Sequence, residues 1–302
     1  MKKYYSKREI KKWNDEGAVL LFDIFKDKEI KAVKKDIEKV YLYKKGGQPK
    51  IHNERKVISF SEDQFLNFDN IPFDCSPALN LICVHPQLIS FAKDALGSKQ
   101  VRLYQSQAWA KYAGETDYEQ PFHCDFMNHT ITAPSTQSHY NSITFLIYFS
   151  DVTEKHGPAH FVSKKNIKNN NKLMKMYLSG LSSQLHEKLS PFEQSTAGPA
   201  GTIFAYGIDV FHRATNITVP GGYRYAVTAC FKKTGNDSIG YTAWPYHQHK
   251  PWNIIFENAT PDQLSCFGVP QPGNDYWSKD TIELTQTRFP KWNSKDYLDK
   301  LG

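Results

Sequence analysis

The stretch Gly198-Pro-Ala-Gly-Thr-Ile-Phe-Ala-Tyr-Gly-Ile-Asp-Val-Phe-His212-Arg-Ala-Thr-Asn216 reads as a turn, a short strand, a second turn, and then a histidine heading a polar loop. The run that follows, Gly221-Gly-Tyr-Arg224-Tyr-Ala-Val-Thr-Ala-Cys-Phe231, is a longer strand. In it Arg224 is in phase with Ala226, Thr228 and Cys230, small residues that leave room beside a guanidinium. An arginine aimed into a barrel needs an anionic partner, because burying it unpaired costs several kcal/mol. A bidentate carboxylate meets that need.

Working outward, Val101 to Tyr112 and Ser142 to Phe149 are further β-rich runs bounded by turn residues. The residues before them read differently. Ser6-Lys-Arg-Glu9 is a capping box and Gly17 a helix stop, which predicts a helix over 6–16. A strand is expected at Ala18 to Phe22. Apolar residues at Ile30, Val33, Ile37, Val40 and Tyr41 then repeat at helical spacing. Residues 44–80 are polar and irregular, and Pro86 to Leu96 is a third helix closed by Gly97. The expectation is a mainly β protein with flanking helices. It is organised as one domain: a mainly helical part at 1–100, a β core at 101–233 interrupted by an insertion at 164–199, and an extension at 234–302. That extension is too aromatic to be disordered and is expected to fold back over the β core.

Composition narrows the class. Of 302 residues, 40% are hydrophobic and 23% charged, and no apolar run is long enough to span a bilayer, so a globular protein resident in the cytoplasm is expected. Five cysteines without C-x-x-C spacing argue against a disulfide framework or a zinc knuckle. The net charge of +7 suggests nucleic acid, but its distribution does not. Residues 1–60 hold 17 lysines and arginines against 9 acidic residues, whereas residues 61–302 hold 21 against 22. The basic excess is a solvated face of the N-terminal helices.

The chemistry gathers around Gln120-Pro-Phe-His123-Cys-Asp125-Phe-Met-Asn-His129. If Phe122 to Phe126 is strand or strand end, His123 and Asp125 share a face, with Cα atoms roughly 6 to 7 Å apart. Alone, His-x-Asp is weak: His52-x-Glu54 in a polar loop shows how easily decoys arise. With His212 as a third ligand, two histidines and one carboxylate make the facial triad of non-heme Fe(II) oxygenases, leaving positions for 2-oxoglutarate and O2.

The ordered set resembles the phytanoyl-CoA dioxygenase family. It comprises His123-x-Asp125, a strand ending in Ser150-Asp-Val-Thr-Glu-Lys-His-Gly157-Pro158, Gly201-Thr-Ile-Phe-Ala-Tyr, His212, and Arg224 twelve residues later. The resemblance runs from about Trp13 to Lys233. It implies a double-stranded β-helix (jelly-roll, cupin-like) core, Fe(II) on His123, Asp125 and His212, and the distal carboxylate of 2-oxoglutarate on Arg224. It also implies a co-substrate role for Gln107, with Thr144 on the next strand able to donate to a carboxylate. Where members often carry a hydroxyl two residues past the distal histidine, this chain has Ala214. The related halogenases lack the carboxylate that Asp125 supplies here, so hydroxylation or a related oxidation is favoured.

The substrate is expected to be a small molecule, with Lys111, Asn128, His129 and Arg213 as candidate contacts. Arg213 faces either the entrance or solvent. At most one of His129, His139, His156 and His160 is expected at the site, and His247-x-His249 reads as surface. Two other readings stay open: a non-catalytic metal-binding or ligand-binding protein on the same barrel, and a nucleic-acid demethylase suggested by the Lys-rich, aromatic residues 1–13. The sequence does not address oligomeric state.

Overall fold

The computed structural model describes residues 2–42, 46–48, 66–115, 118–130, 134–135, 140–167, 170–240 and 250–301. His52, Glu54, His139, His247 and His249 lie outside the described residues.

Helix α1 (Lys7–Glu16) starts where the Glu9 carboxylate accepts the Ser6 backbone N–H at 2.6 Å, and it stops at Gly17. Gly17 has φ +76°, and a Cβ there would lie 2.9 Å from the Val210 side chain. The turn delivers the chain directly into β1 (Ala18–Leu21). Helix α2 (Asp27–Val40) follows. The region read as irregular contains β2 (Phe68–Asn70) and α3 (Pro77–Ile82) among its described residues. Helix α4 (Pro86–Ala95) precedes β3 (Val101–Tyr112).

Beyond β3 come α5 (Phe126–His129), β4 (Ser142–Tyr148) and β5 (Ala159–Val162). The segment read as an insertion carries α6 (Asn170–Leu178) and α7 (Ser182–Leu189), and ends in β6 (Glu193–Ser195). Strands β7 (Ile203–Gly207), β8 (His212–Ala214) and β9 (Tyr223–Lys233) complete the sheets. Helices α8 (Trp252–Asn258), α9 (Pro261–Cys266), α10 (Lys279–Arg288) and α11 (Lys295–Leu298) form the C-terminal part.

The strands make two antiparallel sheets, a six-stranded one in the order β1-β7-β4-β9-β3-β2 and a three-stranded one in the order β6-β5-β8. The period-two pattern of β9 explains the layering. Tyr225, Val227, Ala229 and Phe231 join one apolar core with Trp13, Val33, Ile37, Leu79, Leu88 and Phe91 of the helices. Arg224, Ala226, Thr228 and Cys230 line a cavity on the opposite face. There the small sheet packs against the large one, Ala159 and Phe161 meeting Ala18, Phe204 and Tyr206. This is the jelly-roll of the expectation, with helices covering the outer face of the larger sheet.

The C-terminal helices have an apolar cluster of their own, built on Ile255, Leu264, Trp277, Ile282, Phe289, Trp292 and Tyr297. Leu81 of α3 packs against both this cluster and the main core, joining the two. No described helix is long and apolar enough to cross a membrane.

Candidate metal centre

Three segments converge between the sheets. His123 and His212 form an isolated antiparallel bridge in which each backbone N–H donates to the other's carbonyl at 2.9 Å. Such a hydrogen-bonded pair sets both side chains on one face. Phe122 to Phe126 is therefore not a continuous strand. The chain turns after His123, and Asp125 takes helical φ/ψ (−70°, −17°) at the N-terminus of α5. The carboxylate reaches the imidazoles from a helix entry rather than by strand alternation.

Each imidazole is oriented through its inner nitrogen. His123 Nδ1 donates to the Pro121 carbonyl and His212 Nδ1 to the Val210 carbonyl, each at 3.0 Å. A carbonyl only accepts, so Nδ1 carries a proton in each ring, and in the neutral form the lone pair is on Nε2. His212 Nε2 lies 3.4 Å and His123 Nε2 3.9 Å from Asp125 Oδ1. The ligand atoms of all three residues lie within 4.8 Å of one another, so a single ion could be held by all three. The other carboxylate oxygen, Oδ2, accepts from the Tyr206 hydroxyl at 2.9 Å.

The electrostatics suit a cation. Burial would raise the Asp125 pKa, but the adjacent His212, through its charge and a hydrogen bond, wins and holds the carboxyl well below its usual range. Burial, reinforced by the charge of His212, pushes His123 down to about 4. Burial opposes protonation of His212 too, yet the Asp125 carboxylate outweighs it and raises that pKa.

A cavity of about 610 Å³ opens from this triad. Arg224 is buried at its wall, and among the described residues its Nη1 has no hydrogen-bond partner. Across the sheet, in register with Arg224, stands Lys111. Its ammonium sits 3.6 Å from the centre of the Tyr118 ring and 5.6 Å from that of Trp109. Gln107 and Thr144 also line the cavity, with the Thr144 hydroxyl 3.5 Å from Cys230 Sγ.

The four candidate substrate contacts fare differently. Lys111 and the exposed Asn128 line the cavity. His129 lines it too, but its Nδ1 is engaged by the Tyr104 hydroxyl at 3.1 Å. Arg213 lines the cavity as well, yet it is 3% exposed and its guanidinium meets Glu119 at 2.6 Å and Glu193 at 2.9 Å. Its charge is already matched, so it is unsuited to hold a further anion. Of the remaining histidines, His156 bonds Thr153 and His160 contacts Glu154 and Glu193, away from the triad.

Reading by motif missed Tyr206, Tyr118, Trp109 and Phe68, all of which line the cavity. Only Tyr206 carried a signal, standing at the end of the strand before His212.

Among curated proteins none matches the chain. Solved structures of similar fold include EctD from S. alaskensis with 2-oxoglutarate and 5-hydroxyectoine, at 15% identity and TM-score 0.57, covering 83% of each chain. The carbocyclase SnoK of nogalamycin biosynthesis, described as non-heme and alpha-ketoglutarate dependent, matches at 17% identity and TM-score 0.56, over 76% of this chain and 84% of its own. HygX from Streptomyces hygroscopicus, with nickel and 2-oxoglutarate bound, matches at 13% identity and TM-score 0.55, over 76% and 88%. At these identities the likeness is one of fold. The sequence model of phytanoyl-CoA dioxygenase, by contrast, matches residues 13–224, from α1 to Arg224 and across every candidate ligand. The chain belongs to the phytanoyl-CoA dioxygenase family, and so to the 2-oxoglutarate-dependent oxygenases.

Proposed function

We propose that this protein hydroxylates an aliphatic C–H bond of a small molecule, with Fe(II) on His123, Asp125 and His212 and 2-oxoglutarate as co-substrate. The observation that carries the reading is the Nη1 of buried Arg224, unpartnered among the described residues, in the same cavity as the triad. A buried cation lacking a partner is costly, and the distal carboxylate of 2-oxoglutarate is a bidentate match for a guanidinium. The donor set fits as well, since two imidazoles and a carboxylate suit iron and leave coordination positions open.

Fe(II), 2-oxoglutarate and O2, once bound, supply the oxidising power, and succinate and CO2 are the by-products. The rest is the work of the chain. Backbone carbonyls of Pro121 and Val210 hold both imidazoles in the tautomer that presents Nε2. Tyr206 occupies one Asp125 oxygen, so the carboxylate offers the other. Arg224 offsets the charge of the co-substrate, Gln107 and Thr144 flank it, and the barrel wall limits water.

Succinate formation from 2-oxoglutarate with Fe(II) and ascorbate tests the reading. His212→Ala should lower the rate by about 100-fold or more, beyond the 10–100-fold typical of losing a ligand's supporting partner. If the variant and the wild type formed succinate at the same background rate, the enzyme reading would fail.

A further inference from the structure

The cavity holds a second cation that the co-substrate does not need. Lys111 and Arg224 are register partners on β3 and β9, so their side chains leave one face of the sheet from adjacent points. They are 4% and 7% exposed, and among the described residues neither has a carboxylate partner. Among the described residues Asp125 is the only acidic one lining the cavity. Like charges set opposite each other repel. Burial, and then the charge of Arg224, hold the Lys111 pKa well below its usual value.

Charge balance shows what is missing. Fe(II), the Asp125 carboxylate, dianionic 2-oxoglutarate and the Arg224 guanidinium cancel one another, which leaves the Lys111 ammonium over. Its contacts with Tyr118 and Trp109 relieve part of the burial cost, because a desolvated ammonium is attracted to the face of an aromatic ring. They supply no counter-charge. Beside the ammonium, the rings of Phe68 and Trp109 lie 4.2 Å apart across β2 and β3, both half-buried and both on the cavity wall. The volume of about 610 Å³ falls within the roughly 300–1,000 Å³ of pockets that enclose a small organic ligand.

We infer that the substrate is an organic acid, bearing a carboxylate or phosphate that pairs with Lys111 and an apolar body that lies on Phe68 and Trp109. The inference rests on the proposed iron and co-substrate chemistry, because the charge balance counts both.

The test is a pair of binding titrations on anaerobic, Fe(II)-loaded protein. In the first, 2-oxoglutarate is added and the visible iron-to-co-substrate absorption is followed. Lys111→Met should bind 2-oxoglutarate within about twofold of wild type, whereas Arg224→Met should bind about tenfold or more weakly, the loss of one charge-assisted hydrogen bond. In the second, the protein saturated with 2-oxoglutarate receives matched probes, phenylacetate against phenylacetamide and phenyl phosphate against phenol, with binding read from tryptophan fluorescence. Wild type should prefer the charged member of at least one pair by about tenfold, Lys111→Met should bind both members alike, and Lys111→Arg should recover the preference. The pair that shows the preference tells carboxylate from phosphate.

Two results overturn the inference. A tenfold loss of 2-oxoglutarate affinity in Lys111→Met would assign the lysine to the co-substrate, and a wild type that binds neither charged probe better than its neutral partner would remove the acidic substrate. Lys111→Gln replaces Lys111→Met if the latter fails to fold. A wild type without the 2-oxoglutarate absorption would instead sink the underlying reading, a separate outcome.

Discussion

The hydroxyl of Tyr206 reaches Asp125 Oδ2 while the ring packs 4.6 Å from that of His212. One side chain thus steadies two of the three candidate ligands, and partners of this kind commonly govern metal affinity. Tyr206→Phe keeps the ring and deletes the hydrogen bond, so the Fe(II) concentration for half-maximal succinate formation should rise by about tenfold. An unchanged Fe(II) requirement would reduce Tyr206 to a packing residue. His123, Asp125 and His212 were legible in the sequence because their residue types carry ligand chemistry in themselves. The role of Tyr206 was not, since a tyrosine closing a strand has many uses and its partner lies 81 residues away. The ion pairs of Arg213 were hidden for the same reason, its carboxylates standing 94 and 20 positions distant.

At the level of elements, the small sheet is pinned by charge. Glu193 of β6 accepts from Arg213 of β8 and faces His160 of β5, with Glu154 on the far side of that imidazole. Burial would raise the Glu193 pKa, but His160 and Arg213 together hold it at about 2, below the ordinary 4.5. The sign follows directly. A carboxyl whose pKa falls on folding contributes stability above pH about 4.5, and that contribution drains away as pH falls toward about 2. Glu193→Gln should therefore flatten the loss of urea resistance between those limits. If wild type and variant lost resistance in parallel, the acid sensitivity would lie elsewhere. Strand periodicity exposed most of the large sheet in advance, down to the inward phase of Arg224. It failed at Phe122 to Phe126, where one bridge residue and a helix entry replace a strand, because two histidines bonding through their backbones leave no repeat to read.

Across the whole molecule, two apolar bodies are joined. The β core and its helices form one, and the C-terminal helices the other, where Phe256 stacks on Phe289 at 3.8 Å and Trp292 packs on Trp277 and Tyr297. The aromatic content of the tail signalled an ordered structure, but nothing in it named Leu81 and Phe267 as shared contacts. Trp292 is buried and no part of the cavity. Trp292→Ala should cost about 3–5 kcal/mol in urea unfolding while the folded fraction keeps its Fe(II) requirement. A raised Fe(II) requirement would mean that the C-terminal body shapes the metal centre. The reciprocal backbone bonds between His123 and His212 bear on this independence. The two Cα atoms are spaced by peptide groups, at about 5.5 Å for such a pair, whatever side chains they carry. The spacing of these two candidate ligands is moulded in main chain: exchanging an imidazole for another side chain would change the donor offered and leave the two Cα anchors unmoved.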